Sequence, residues 1–221
     1  GVEPNKISVN GNIKFDGLIS SADISSGVEE TSNWVVFGST RPGDEGPVME
    51  AVVRLHAEYA KLKFVIAPRH IERLSEVKEL IRNYGMEFQL HSEQSDSVNS
   101  RLILLDRLGE LDRYYAKACL AFVGGGFNPR FGGHNIIEPA SHGLPVVFGR
   151  YMNNFEEEAR LLIKSGGGVQ INNSEELYDV LNQLLSDQEE RLHRGEKARA
   201  TVVENRGAIG KTIELINRLT S

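Results

Sequence analysis

Residues 122–149 combine glycines and polar side chains in an order that suits nucleotide binding. His134, Asn135 and Glu138 follow two clusters of glycine, near the start of a predicted helix at 135–142. Backbone at glycine can approach a ligand closely because it has no Cβ, and the free N–H groups of a helix start favour an anion. Glu138 would place a carboxylate beside that anion, where ribose hydroxyls could donate to it. Backbone N–H groups that can bind a phosphate, next to a carboxylate that can bind a ribose, predict a nucleotide site.

The same stretch has a second interpretation, as a tight crossover between two buried strands. The glycines would then serve packing, and Glu138 would be a solvated acid at a helix start. The co-occurrence of two glycine clusters with His134, Asn135 and Glu138 favours the nucleotide site.

The segments around this stretch alternate between apolar strands and amphipathic helices. Strands are predicted at 34–37, 64–67, 86–90, 102–105, 120–123, 144–148 and 168–171, and helices at 47–62, 71–84, 109–116, 135–142, 155–163, 174–185 and twice within 187–219. Such alternation predicts an α/β fold with a Rossmann-like, doubly wound parallel sheet. We expect residues 1–32 to be an interdomain segment and connector, and 33–221 to form the compact domain.

Ligands of doubly wound sheets bind beyond the carboxyl ends of the strands, and two further loops there carry suitable residues. Pro68 could form one wall of a base pocket, and Arg69 could bind a phosphate or a base carbonyl. The rim formed by Leu108, Gly109 and Glu110 offers backbone groups and a carboxylate. Alternatively, Arg69 is an exposed side chain at a helix start and the rim is a capped first turn.

Hydroxyl and imidazole groups in the same region are candidate contacts for a phosphate or a sugar. Ser39 and Thr40 could donate hydrogen bonds to an anion, or could cap the helix that follows. His70 and His134 could donate to a phosphate, although a lone histidine is usually structural.

Composition and missing motifs exclude several classes of function. The net charge of −6 argues against a nucleic-acid partner, and the single cysteine, Cys119, offers neither a disulfide nor a cysteine-based metal site. No apolar run approaches the roughly 20 residues of a membrane span. The chain has no Walker-type Gly-x-x-x-x-Gly-Lys-Ser/Thr loop, no His-Glu-x-x-His, no nucleophile elbow and no Gly-x-Gly-x-x-Gly. A kinase, a metalloprotease, an α/β-hydrolase and a typical dinucleotide oxidoreductase are therefore disfavoured.

Several motifs, taken in order, resemble one known family. They are Gly-Ser-Thr-Arg-Pro-Gly-Asp-Glu at 38–45, Ala-Pro-Arg-His-Ile-Glu-Arg at 67–73, Leu-Gly-Glu-Leu at 108–111, Phe-Val-Gly-Gly at 122–125, Gly-Gly-His-Asn-Ile-Ile-Glu-Pro-Ala at 132–140 and Asn-Phe at 154–155. Together they resemble the carboxy-terminal half of the 3-deoxy-D-manno-octulosonic acid (Kdo) transferases of lipopolysaccharide synthesis. Residues 9–16 are similar to the segment that joins the two domains of that family. Because the chain lacks an initiating methionine, we expect it to be part of a longer protein.

The resemblance implies the second domain of a GT-B glycosyltransferase, in which two Rossmann-like domains face each other across a cleft. This domain would bind the donor, CMP-Kdo, and its product CMP, without a cofactor or metal, through Pro68, Arg69, Leu108, Gly109, Glu110, Asn135, Ile136, Ile137 and Glu138. Ser39, Thr40 and His134 are the candidate contacts to the donor phosphate or sugar.

The family also implies that no catalytic residue lies in this chain. The general base, the acceptor site and the membrane association would belong to an amino-terminal domain absent from it, and this domain alone would be soluble and inactive. The full enzyme would transfer Kdo, with inversion, to the lipid A precursor lipid IVA at the cytoplasmic face of the bacterial inner membrane. The alternatives are a GT-B enzyme that uses a UDP-sugar, either an epimerase or a hexosyltransferase, and a non-catalytic nucleotide-binding module.

The chain departs from the family pattern near the expected sugar end of the site. The family commonly has histidine where this chain has Arg41, glutamate where it has Asp44 and serine where it has Gly126. The loop 128–131 is about one residue longer than in the family. These departures concern the donor sugar more than the nucleotide.

Overall fold

The computed structural model describes residues 2–3, 6–17, 32–93 and 100–220. Seven parallel strands form one sheet in the order β3-β4-β2-β1-β5-β6-β7. The strands are β1 (Trp34–Thr40), β2 (Lys63–Pro68), β3 (Gln89–Leu90), β4 (Leu102–Leu104), β5 (Ala118–Val123), β6 (Val146–Gly149) and β7 (Gly168–Ile171). The helices are α1 (Glu45–Glu58), α2 (Leu74–Asn83), α3 (Leu111–Tyr115), α4 (Ile137–Ser141), α5 (Glu156–Ser165), α6 (Glu176–Ser186), α7 (Gln188–Glu204) and α8 (Ala208–Thr220). The predicted doubly wound parallel α/β fold is confirmed.

The central strands are apolar on both faces because helices cover both. Successive residues of a strand point to opposite sides. Phe37 therefore packs with residues of α1, α2 and α6, while Val36 packs with Tyr114 and Tyr115 of α3. The strand order changes direction at β1 and β5. In doubly wound folds this switch point opens a crevice at the carboxyl ends of the strands.

Three local predictions were wrong in detail. Strand β3 is shorter than the predicted 86–90, and α4 begins two residues later than predicted because the Asn135 side chain accepts the N–H of Ile137 at 3.0 Å. We also expected Ser174 to cap α6. Instead, Oδ1 of Asn173 accepts the N–H groups of Glu175 and Glu176, at 3.0 and 3.1 Å.

The segment before the sheet contacts the last helices. Phe15 is buried, and the Asp16 carboxylate accepts the N–H groups of Gly207 and Ile209, at 2.6 and 2.7 Å, at the start of α8. Of the predicted connector, residues 18–31 lie outside the described residues. The domain boundary at 32/33 therefore stays a prediction.

Asp44 joins the loop after β1 to the glycine loop after β5. Its side chain is buried, and Oδ2 accepts the N–H of Arg41 and the N–H of Gly125, both at 2.7 Å. The Gly125 carbonyl in turn accepts the N–H of Gly133 at 3.0 Å, next to His134. One carboxylate oxygen therefore sets the relative position of the two loops that carry Arg41 and His134.

We predict that Asp44→Ala lowers the free energy of unfolding by about 2–4 kcal/mol. The loss of Oδ2 leaves two N–H groups without an acceptor, and a buried unsatisfied group costs about 1–3 kcal/mol. Asp44→Asn keeps one oxygen that can accept both, so it should cost clearly less. Urea denaturation of the three proteins measures the difference, and equal costs for alanine and asparagine would contradict it.

A second prediction concerns the pH dependence of stability. Burial raises the pKa of Asp44 from 3.8 to about 6, against the lowering effect of the hydrogen bonds from Gly125 and Arg41. Because the folded protein holds this proton more tightly than the unfolded chain, the carboxyl stabilises the fold below about pH 4 and loses that contribution as the pH rises through about 6. Relative to Asp44→Asn, the parent should therefore lose on the order of 2–3 kcal/mol between pH 4 and pH 7. Urea denaturation at each pH tests this, and a constant difference between the two proteins would refute it.

Candidate functional site

A cleft of about 360 Å³ opens at the carboxyl ends of β1, β2 and β4, beside the start of α4. Its volume falls in the range of roughly 300–1,000 Å³ that small-molecule sites occupy. The lining residues come from five separate segments of the chain, and they are Ser39, Ala67, Pro68, Arg69, Ile71, Leu105, Arg107, Leu108, Gly109, Leu111, Asp112, His134, Asn135, Glu138 and Phe155. We call this cavity the donor cleft.

The structure brings most of the predicted site residues together in the donor cleft. They lie up to about a hundred positions apart in the chain, and they are Ser39, Pro68, Arg69, Leu108, Gly109, His134, Asn135 and Glu138. The fold unites them because β4, β2, β1 and β5 are neighbours in the sheet and end on the same side.

Four other predicted residues do not line the cleft. The Thr40 hydroxyl is buried and donates to Glu45 at 3.2 Å. Ile136 and Ile137 pack in the core, so only their backbone could reach a ligand. The Glu110 side chain is bound to Arg113 at 2.8 Å instead of pointing into the cavity.

Seven lining residues were not predicted as site residues, and they are Ala67, Ile71, Leu105, Arg107, Leu111, Asp112 and Phe155. Arg107 and Asp112 flank the predicted rim at 108–110 and could have been found, because they sit in the loop and first turn that already carried Leu108. Phe155 begins a predicted helix far along the chain, and its place in the Asn-Phe motif at 154–155 is the signal that could have marked it.

The wall of the donor cleft contains two carboxylates. Burial raises the pKa of Glu138, the nearby Asp112 raises it further, and His142 opposes both. His142 lies 2.6 Å from Asp112 through its Nε2. A half-buried carboxylate with such neighbours is a strong acceptor for hydroxyl donors, as a ribose diol would supply.

A second group of side chains at the cleft, around His134, is cationic. Arg41 donates from Nε to Nε2 of His134 at 2.8 Å, so the imidazole carries its own proton on Nδ1. Burial, followed by the charges of Arg41 and Arg69, lowers the pKa of His134 to about 4. At neutral pH His134 is therefore an uncharged N–H donor beside two guanidinium groups.

Ser39 occupies a strained backbone position in the cleft wall. Its φ of 53° makes it the one described non-glycine residue with a positive φ, and it lies where the register of β1 against β2 shifts between Gly38 and Thr40. Left-handed backbone at a residue other than glycine costs energy and recurs at binding sites. Here the distortion places Ser39 in the cavity wall.

The glycine clusters serve packing, which corrects the expectation that they would cradle a phosphate. A methyl group at Gly126 would lie 2.8 Å from Cα of Gly149, and one at Gly133 would lie 2.4 Å from Sδ of Met152. Gly125 and Gly133 also have φ of 83° and 75°. These glycines are buried and do not line the donor cleft. The second interpretation of the stretch is therefore right for its glycines, while His134, Asn135 and Glu138 face the cavity.

The described part of the chain contains neither a metal-binding cluster nor a membrane-spanning helix. Within residues 2–3, 6–17, 32–93 and 100–220, no group of three or more His, Cys, Asp and Glu side chains could hold a metal ion. Across the same ranges, no helix combines the length and the apolar character that crossing a bilayer requires.

No protein-family model matches the chain, but individual proteins do. It is 31% identical over 225 residues to the 3-deoxy-D-manno-octulosonic acid transferase of Chlamydophila psittaci, covering 99% of this chain and 51% of that protein. It is 29% identical over 226 residues to the enzyme of the same name from Haemophilus influenzae, covering 98% of this chain and 52% of that protein. The chain thus spans about half the length of the curated relatives that it matches.

Solved structures agree with this relationship. The C-terminal CMP-Kdo binding domain of WaaA from Acinetobacter baumannii aligns with a TM-score of 0.72 and 29% identity, over 78% of this chain and 90% of that one. Sucrose-phosphate synthase from Thermosynechococcus elongatus, at 14% identity and a TM-score of 0.60, shares the GT-B-like fold alone. The chain is therefore related to the 3-deoxy-D-manno-octulosonic acid transferases, and its fold is that of the carboxy-terminal domain in this family.

Proposed function

We propose that this chain is the donor-binding domain of a Kdo transferase and that it binds CMP-Kdo in the donor cleft. The observation that carries the proposal is the convergence of Glu138, Arg69 and His134 in one cavity at the carboxyl ends of the strands. The relationship to Kdo transferases over almost the whole chain supports the choice of donor.

The donor cleft offers a suitable partner to each part of cytidine monophosphate. Pro68 and Leu108 supply apolar walls for the base, and Leu108 is 67% exposed, which a bound base would reduce. Glu138 accepts from the ribose hydroxyls, with Asn135 beside it. Arg69 supplies a planar cation for the phosphate.

In the proposed reaction, the hydroxyl of the acceptor attacks the anomeric carbon of Kdo with inversion. The bond from that carbon to the phosphate oxygen breaks, CMP leaves, and a general base takes the acceptor proton. Negative charge on the phosphate grows in the transition state. Arg69 and the Nδ1–H of His134 therefore bind the transition state more strongly than the ground state.

We assign the general base, the lipid IVA acceptor site and the membrane association to the half of the enzyme that this chain does not match. This assignment puts the transferase at the cytoplasmic face of the inner membrane, with the donor as the small molecule that this domain binds and no cofactor. The share of about half that the chain covers in its curated relatives supports such a division.

Nucleotide titration tests the binding site. We expect the chain to bind CMP more tightly than UMP or AMP in calorimetry. Arg69→Ala and Glu138→Gln should each weaken CMP at least tenfold, because losing a hydrogen bond to a charged group costs about 1.5–3 kcal/mol. The exposed residues Arg160 and Glu189, on α5 and α7, offer matched controls as Arg160→Ala and Glu189→Gln. Tighter binding of UMP would favour a UDP-sugar enzyme, and no binding of any nucleotide would contradict the proposal.

Kinetics of the full-length transferase distinguish the roles of the two residues. Glu138→Gln should raise KM for CMP-Kdo with little change in kcat, because a ribose contact is equally strong in the ground state and the transition state. Arg69→Ala should also lower kcat, because the charge that it stabilises grows during the reaction. Transfer of Kdo to lipid IVA is the measurement. Identical kinetic profiles for both variants would refute this assignment of roles.

A further inference from the structure

Arg41 lies beside the donor cleft, and its guanidinium group is held from three directions. Its Nε donates to Nε2 of His134 at 2.8 Å, and its Nη1 contacts Nε2 of His70. The guanidinium carbon lies 5.0 Å from the centroid of the Phe131 ring. His70 is in turn held by Glu72, with 3.7 Å between Nδ1 and the carboxylate. Two imidazoles and one aromatic face therefore fix the orientation of this planar cation.

The Arg41 guanidinium forms no ion pair with any carboxylate in the described ranges. The acids closest in sequence are engaged elsewhere. Oδ2 of Asp44 accepts the backbone N–H of Arg41 itself, and the carboxylate of Glu45 pairs with Arg73 at 2.7 Å. A partly buried cation that is oriented without a carboxylate partner keeps its charge available for an anion.

A second guanidinium group, that of Arg69, adds positive charge near Arg41 and favours the binding of an anion there. Burial and the nearby charge of Arg69 both lower the pKa of Arg41, while Asp44 opposes them. A guanidinium group carries five N–H donors, and Arg41 uses two of them on the imidazoles, which leaves three for a ligand. Arg69 lines the cavity itself. The two side chains thus form adjacent but distinct cationic positions.

The chemistry of the donor supplies two anions. The relatives of this chain transfer an octulosonic acid, so a nucleotide-activated form of that sugar carries a carboxylate as well as a phosphate. We propose that Arg41 binds the sugar carboxylate of the donor, with His70 and His134 as positioning residues, while Arg69 serves the phosphate. This inference rests on the function proposed above. It adds two residues, Arg41 and His70, to the donor site.

Geometry favours the carboxylate over the phosphate as the partner of Arg41. A guanidinium and a carboxylate are both planar and pair through two parallel hydrogen bonds, which requires a fixed orientation of the kind that His70 and His134 impose. Arg69 lines the cavity itself, whereas Arg41 reaches the cavity through His134. Arg41 is therefore one side chain further from the nucleotide.

Titration with two ligands separates these roles. The affinities of CMP and of freshly prepared CMP-Kdo are measured for the parent chain and for Arg41→Gln, Arg41→Lys and Arg69→Ala. We expect the parent to bind CMP-Kdo more tightly than CMP. Arg41→Gln should weaken CMP-Kdo at least tenfold and CMP less than twofold, whereas Arg69→Ala should weaken both. Arg41→Lys should retain part of the preference for CMP-Kdo over CMP, because lysine keeps the positive charge but lacks the planar guanidinium group. Arg160→Gln on α5 serves as the control, and urea denaturation shows that each variant is folded.

Each other result overturns the inference. An equal loss of CMP and CMP-Kdo affinity in Arg41→Gln would show that Arg41 binds the phosphate and not the sugar carboxylate. Unchanged affinities, or a parent that binds both ligands equally, would remove the carboxylate subsite while leaving the CMP site intact. A parent chain that does not bind CMP at any concentration tested would overturn the proposed function as well. The failure of the inference and the failure of the proposed function are therefore distinguishable.

Discussion

The donor cleft depends on a single carboxylate oxygen that joins two loops. Oδ2 of Asp44 accepts one N–H from the loop after β1 and one from the loop after β5, and both distances are 2.7 Å. The connection continues from the Gly125 carbonyl to the N–H of Gly133, next to His134. Because these bonds are short and buried, the loop of Arg41 and the loop of His134 cannot shift independently. The hydrogen bond between the two side chains is a result of that linkage.

The cleft beside these loops contains charges of both signs. Glu138 and Asp112 contribute carboxylates to its wall, Arg69 and Arg107 contribute cations, and Arg41 lies just outside. A nucleotide has the matching polarity, since its ribose donates hydrogen bonds and its phosphate accepts them. The cleft therefore orients a ligand by charge before any close fit is made. His134 stays neutral between the cations because burial and their charges lower its pKa.

Much of the fold and part of the site could be predicted from the sequence. Apolar strands alternating with helices predict the parallel sheet, and sheet topology then brings Arg69, Leu108 and Glu138 to one edge. The cap at Asn173 could not be distinguished from Ser174, because both side chains can accept a backbone N–H. The entry of Phe155 into the cavity depends on contacts between segments far apart in the chain. Thr40 contacts Glu45, at the start of the next helix, and the local pattern allowed either such a contact or a hydrogen bond to an anion.

The buried glycines have a consequence for how this region responds to variation. Gly126 and Gly149 approach so closely that neither tolerates a side chain, although neither faces the cavity. In a mutational scan that selects for cell growth, substitutions at these positions would be as harmful as substitutions of Arg69 or Glu138. A map of the scores alone would therefore assign these glycines to the binding site. Abundance measured beside growth would separate them, since the glycine variants lose the protein and the cleft variants lose only its ligand.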